Sequence, residues 1–157
     1  MLMALFGSAG CQYERYQRLA FDKALLRQET MTTENTSPQY LQECRDALAT
    51  EQATSLSETK NWSHVDKDKV HSDWDVLYKE LSTLIENSAP ASPEVQELIG
   101  RHHEILSRFY VPSKQAYIGL SLFYDENDDM RNFHNAYHPD MVNFLRAAIQ
   151  HYAQKNL

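Results

Sequence analysis

Glycine is scarce in this chain, with four in 157 residues, and cysteine is scarcer, with two. Few glycines and a shortage of alternating β-branched runs point to an all-α fold. Cys11 and Cys44 cannot make a disulfide framework and fit a reducing cytosol. No apolar run approaches the ~18 residues of a membrane span. Basic residues are outnumbered, 15 Lys and Arg against 22 Asp and Glu, for a formal charge of −7. That balance excludes a phosphate-backbone binder, which needs a basic face, so no direct nucleic-acid contact is expected.

What is present is helical periodicity. Val95, Leu98, Ile99, His102, Ile105, Leu106 and Phe109 recur at steps of three and four, the spacing of one buried helix face. Pro112 ends that helix, because the residue before a proline is pushed out of the α region. Ser113 can cap the next helix, with Ala116, Tyr117, Leu120, Phe123 and Tyr124 as its stripe. Asp125 to Asp129 reads as an acidic, solvated break, followed by a short face of Met130, Phe133 and Tyr137. Pro139 suits a first helical position and opens a final helix through Met141, Phe144, Leu145, Ala148, Ile149 and Tyr152. Upstream, Asp66 or Asp68 can cap a helix running to about Glu86, with Val70, Trp74, Leu77, Tyr78 and Leu81 inward. Ser92-Pro93-Glu94 then supplies an N-cap, a first-position proline and a first-turn acid.

The run RHHEILSRFYVPSKQAYIGLSLFYDENDDM, followed by HPDMVNFLRAAI, resembles the TipAS family. These are antibiotic-recognition domains of MerR-type, thiostrepton-induced regulators and of stand-alone albicidin-binding proteins. The matching positions are Arg101, His102, Glu104, Phe109 and Tyr110, then Ser113, Gly119, Leu120 and Tyr124. Pro139, Phe144, Leu145, Arg146, Ala148 and Ile149 follow without a gap. The resemblance implies a helical bundle with globin-like packing. It also implies non-covalent binding of a bulky aromatic or peptide-like antibiotic by a stand-alone sensor or sequestration domain. The alternative it leaves open is the effector half of a MerR-type transcription activator without its DNA-binding domain. Departures are equally specific. The loop cysteine that bonds to the ligand in thiopeptide binders falls on Pro112, and Asn127 to Met130 replace the family's Asp-x-Arg-Phe.

The rest of the chain frames this core, expected over 66–153 within a single binding domain of 38–157. Residues 1–37 read as an N-terminal helix over Tyr13–Glu29 and a polar linker. That helix could mediate a homodimer or simply lie on the domain. Ser8-Ala9-Gly10-Cys11 has the shape of a lipoprotein cleavage site. No Lys or Arg precedes it, however, and its apolar run is shorter than the ~7–15 residues of a signal core. A cytoplasmic protein is expected. Gln39–Leu48 can form a short helix, and 49–61 has few apolar anchors beyond Leu56 and the neighbouring Trp62. Little burial then offsets ordering entropy, and residues 38–62 suit a lid.

Chemistry is conspicuous for what does not assemble. His102 and His103 are adjacent and cannot share a helix face, and Pro139 disfavours helical geometry at His138. Neither a zinc ligand set nor a calcium loop is spelled out, so no metal, cofactor or catalytic residue is expected. The aromatics are too many for a plain aliphatic core. Buried tyrosines need partners for their hydroxyls, and several around one space make an apolar cleft with polar handles. The candidate ligand-binding residues are Trp74, Tyr78, His102, Phe109, Tyr110, Tyr117, Tyr124 and Tyr137.

Overall fold

The computed structural model describes residues 37–157. The helix expected over Tyr13–Glu29, the homodimer contact assigned to it, and Cys11 lie outside the described residues. Within them the fold is all-α, with six helices and no strand. They are α1 Pro38–Glu58, α2 Lys67–Ser82, α3 Pro93–Leu106, α4 Lys114–Glu126, α5 Asp128–Asn135 and α6 Met141–Asn156. Residues 41–157 form one compact unit.

α4 is the central element. Ala116, Tyr117, Ile118, Gly119, Leu120, Ser121, Leu122 and Tyr124 are all buried, so this helix is covered on nearly every side. Its broadest partner is α6, whose Met141, Val142, Leu145, Ala148 and Ile149 are buried, and α5 packs on it as well. α2 packs on α3, and α3 on α6. A central helix without a solvent face is what a run such as Ala116–Leu122, apolar but for Ser121, whose hydroxyl donates to Ile118 O, encodes.

The caps follow residue chemistry. Asp66 accepts from the Lys69 amide and starts α2. Ser113 Oγ accepts from the Ala116 amide and starts α4. Asn127 accepts from the Met130 amide, so the expected acidic break is one residue wide, and Asp128 and Asp129 become the first turn of α5. There they face the positive end of the helix dipole. Asp125 is not part of a solvated loop either. It sits in the last turn of α4 and pairs with Arg146 at 2.9 Å. α6 starts later than Pro139 suggests. His138 O accepts from Met141 N at 3.0 Å, so Pro139 occupies the second position of a turn, where its fixed φ suits it.

α1 is longer than its apolar anchors imply, continuing unbroken to Glu58. It runs antiparallel to α4 and touches it at three places. Arg45 pairs with Glu126 at one end of α4, and the Glu51 carboxylate accepts from Ser113 N and Oγ at the other. Between them the backbones almost meet. A Cβ added at Gly119 would lie 2.2 Å from the Cys44 carbonyl oxygen, so the crossing requires glycine there. Otherwise α1 contacts the bundle sparingly.

Candidate ligand-binding site

Four of the expected site residues converge where α2, α3 and α4 meet. His102, from the buried stripe of α3, is wholly inaccessible. Its Nδ1 lies 2.9 Å from the Tyr117 hydroxyl of α4, and its Nε2 lies 3.1 Å from the Tyr78 hydroxyl of α2. Tyr124, two turns along α4, places its hydroxyl 3.4 Å from the same Nε2. A fifth member comes from α5. His134 Nε2 stands 3.1 Å from the Tyr78 hydroxyl, and its Nδ1 is 2.7 Å from the Met130 carbonyl.

The proton positions follow from these partners. A carbonyl can only accept, so His134 Nδ1 carries its hydrogen and the neutral ring accepts at Nε2. Tyr78 then donates to His134, spending its one hydrogen. His102 Nε2 must donate to Tyr78, since two lone pairs at 3.1 Å would repel. His102 Nδ1 therefore accepts from Tyr117. The result is a one-way chain from Tyr117 through His102, Tyr78 and His134 to the Met130 carbonyl.

Electrostatics keep this chain uncharged. Burial lowers the His102 pKa to about 3, reinforced by the neighbouring His134 and His103. Burial also lowers that of His134, against the opposing hydrogen bond to Met130. It raises Tyr78, Tyr117 and Tyr124 well above the ordinary phenol value. At neutral pH every member is neutral, because an ion here would lose hydration without a countercharge.

A second arrangement extends outward from His102. Trp74 stacks on it with ring centres 5.9 Å apart, Phe109 stacks on Trp74 at 6.0 Å, and Trp62 meets Phe109 edge-on at 5.0 Å. These separations suit favourable aromatic pairs. Unlike the histidine chain, this column contains an unpartnered polar atom. Trp74 Nε1 and the Tyr110 hydroxyl are buried with no hydrogen-bond partner. Burial, aided by the Glu51 charge, holds the Tyr110 phenol up at about 12.

Tyr137 stands apart from both arrangements. Its ring covers Tyr78 at 5.4 Å, and its hydroxyl donates to Asp75 at 2.7 Å. The sequence reading therefore named residues that the fold sorts into three places: a closed interior network, an outer column, and one surface latch. His134 was not among them, although it lies one turn after Met130 and so shares its face of α5. Trp62 was read as an anchor alone, and nothing local reveals its meeting with Phe109. Among the described residues no three His, Cys, Asp or Glu side chains converge as metal donors. An open cavity of about 610 Å³ lies between α2 and α3, rimmed by Glu80, Glu94, Glu97 and Arg101. None of the aromatic site residues lines it. Among the described residues no helix is long and apolar enough to cross a membrane.

The family model described as TipAS antibiotic-recognition domain covers residues 40–152. No curated protein and no solved structure matches the chain.

Proposed function

Because this chain belongs to the TipAS antibiotic-recognition domain family, we propose that it binds a bulky aromatic or peptide-like antibiotic without forming a covalent bond to it. The observation that carries this reading is the outer column, where aromatic rings stack outward from His102 and the Trp74 indole nitrogen is a buried, unpartnered donor. An apolar wall with a few convergent polar groups is the usual make-up of a small-molecule site. That donor gains a partner when an amide or ester carbonyl arrives, and an unmade buried hydrogen bond costs roughly 1–3 kcal/mol.

Pro112 stands where thiopeptide-binding relatives are said to carry their reactive cysteine, and Cys44, on the inner face of α1, is fully buried. A proline offers no thiolate, which supports capture by contact alone. In this reading α1 and the turn after it act as the lid, in keeping with their sparse hold on the bundle. The protein works by occupancy in the cytoplasm rather than by turnover, sequestering the compound and so conferring drug resistance. The activator reading uses the same site and differs only in what occupancy is coupled to.

A thermal-shift series with thiopeptides and albicidin-like aromatic amides tests this. A true ligand at 100 times its dissociation constant stabilises the fold by about 2.7 kcal/mol. Intact-mass spectrometry on the same sample should show no adduct. No shift with either class removes the reading, and a stable adduct removes its non-covalent part.

A further inference from the structure

The interior chain has a spare acceptor at its far end. The Tyr117 hydroxyl lies 3.4 Å from the Ile99 carbonyl, against 2.9 Å to His102 Nδ1. His102 and His134 each keep one accepting nitrogen, so an arriving proton has two possible homes. Their surroundings rank them. His102 meets only phenol oxygens, those of Tyr117, Tyr78 and Tyr124. His134 already points Nδ1–H at the Met130 carbonyl and sits in the last turn of α5. A charge-assisted bond to that carbonyl and the negative end of the helix dipole both favour a cation at His134. Burial pushes both rings down, His102 to about 3, while the Met130 bond holds His134 up.

His134 is faced by Tyr78 from α2, His102 from α3 and Tyr124 from α4, with Phe133 beside it on α5. Asp75 of α2 is taken by Lys79 and the Tyr137 hydroxyl, and Glu86 by His138. Asp125 of α4 is taken by Arg131 and by Arg146 of α6. A cation at His134 therefore draws on the Met130 carbonyl and, once Tyr78 turns, on its oxygen. Tyr78 must then place its hydrogen on Tyr124 or on His102 Nε2. Tyr124 has a hydrogen of its own to place, and its partners are the same Nε2 and Tyr78. A hydrogen left on His102 Nε2 strands one of these two hydroxyls. A bare Nε2 strands neither.

We propose that the chain is a two-state proton switch, in which a proton gained at His134 reverses every hydrogen bond back to Tyr117 and moves the hydrogen of His102 from Nε2 to Nδ1. One proton enters from water, and no bond between heavy atoms changes. The Tyr117 hydrogen passes to His102 Nδ1, the His102 Nε2 hydrogen to Tyr78, and the Tyr78 hydrogen to His134 Nε2. The incoming proton restores the Tyr117 hydroxyl, which now donates to the Ile99 carbonyl. His102 is neutral before and after. The bond to Ile99 is the long one, so the reversed chain is held only while His134 is charged. Trp74 stacks on His102 at 5.9 Å, so the switch runs from α5 to the base of the column. It stands on the interior chain alone and does not depend on what the column binds.

Long-range proton–nitrogen correlation spectra of the unaltered protein, isotope-labelled at histidine, read both tautomers directly. Near neutral pH His134 should carry its hydrogen on Nδ1 and His102 on Nε2. As pH falls below the ordinary histidine range, His134 should gain a second hydrogen while His102, still neutral, changes to Nδ1. Coupled groups titrate as a pair, so the two changes should share one midpoint. Tyr78→Phe cuts the chain, and the His102 tautomer should then no longer change at the His134 midpoint. A His102 hydrogen that stays on one nitrogen while His134 titrates in the unaltered protein overturns the switch. So does a His102 that takes charge first, or a tautomer change that survives in Tyr78→Phe. Unfolding before His134 is charged overturns it too, since the folded chain then never reaches the reversed state. Should Tyr78→Phe fail to fold, the unaltered protein decides alone.

Discussion

The interior histidine chain and the outer column are built from the same kinds of residue and end in opposite states. In the chain, Tyr117, His102, Tyr78 and His134 each have a partner, and the last hydrogen rests on a backbone carbonyl. In the column, Trp74 has a buried indole nitrogen with none, and Trp62 rests on strained backbone. A fully satisfied polar network rigidifies a core, whereas a partly satisfied one is a place of stored cost. The difference teaches that a count of buried aromatics does not locate a site. In the proposed site, the open hydrogen bond of the Trp74 indole sets the column apart from the chain.

The sharpest way to break the contrast is to remove the hub of the closed network. His102→Leu strands the Tyr117 and Tyr78 hydroxyls in the core. At roughly 1–3 kcal/mol for each unsatisfied group, with imperfect packing added, the loss should be about 3–5 kcal/mol in urea unfolding. Trp74→Phe in the column deletes a donor that had no partner, so it should cost no more than about 1.5 kcal/mol. Equal losses would erase the distinction.

Next in size is the seam that holds the lid. Gly119→Ala drives a Cβ to within 2.2 Å of the Cys44 carbonyl oxygen, and backbone cannot yield as a side-chain tip does. Overpacking of this kind costs about 1–3 kcal/mol. Its signature should be local, with amides of 41–58 exchanging faster and those around His102 unchanged. Global loosening would show that α1 is part of the core rather than a cover.

Acid should attack the closed network selectively. His102 and His134 have depressed pKa values in the folded protein, so below pH 6.5 the unfolded chain takes up protons that the folded chain refuses. Their contribution is complete above about 6.5 and is lost as pH falls through that value toward the folded pKa, about 3 for His102. The slope is about 1.4 kcal/mol per pH unit for each fully refusing histidine. Urea midpoints from pH 7 to pH 4 measure it, and His102→Leu should flatten the curve. An unchanged slope in that variant would mean other groups carry the acid response.

The smallest effect lies in the strained turn. Lys60→Gly removes the left-handed penalty at φ 52°, which runs about 1–2 kcal/mol before glycine's greater unfolded-state entropy takes back part of it. A net gain of about 0.5–1 kcal/mol should appear as a raised melting temperature. A loss instead would show that the turn is not strained.

Much of this was readable along the chain. Stripes such as Val95–Ile105 and caps such as Asp66 and Ser113 act within a turn or two, so spacing and side-chain type suffice to find them. The all-α architecture and the inward placement of Tyr78, His102, Tyr117 and Tyr124 followed from the same local rules. The width of the break at Asn127 and the turn at Pro139 were misjudged because acidic clusters and prolines each serve two local geometries. Which one forms depends on partners such as Arg146, 21 residues beyond Asp125.

By itself, then, the sequence determined the helices, their inward faces and the family to which they belong, because periodicity and capping are short-range physics. Tertiary structure alone decided which aromatics closed on one another. Tyr78 meets His134 across 56 residues of chain, and Trp62 meets Phe109 across a comparable span. Whether a buried hydroxyl or indole finds a partner is settled by such crossings between helices. No local pattern encodes them, because each depends on the angle and depth at which two separately specified faces pack.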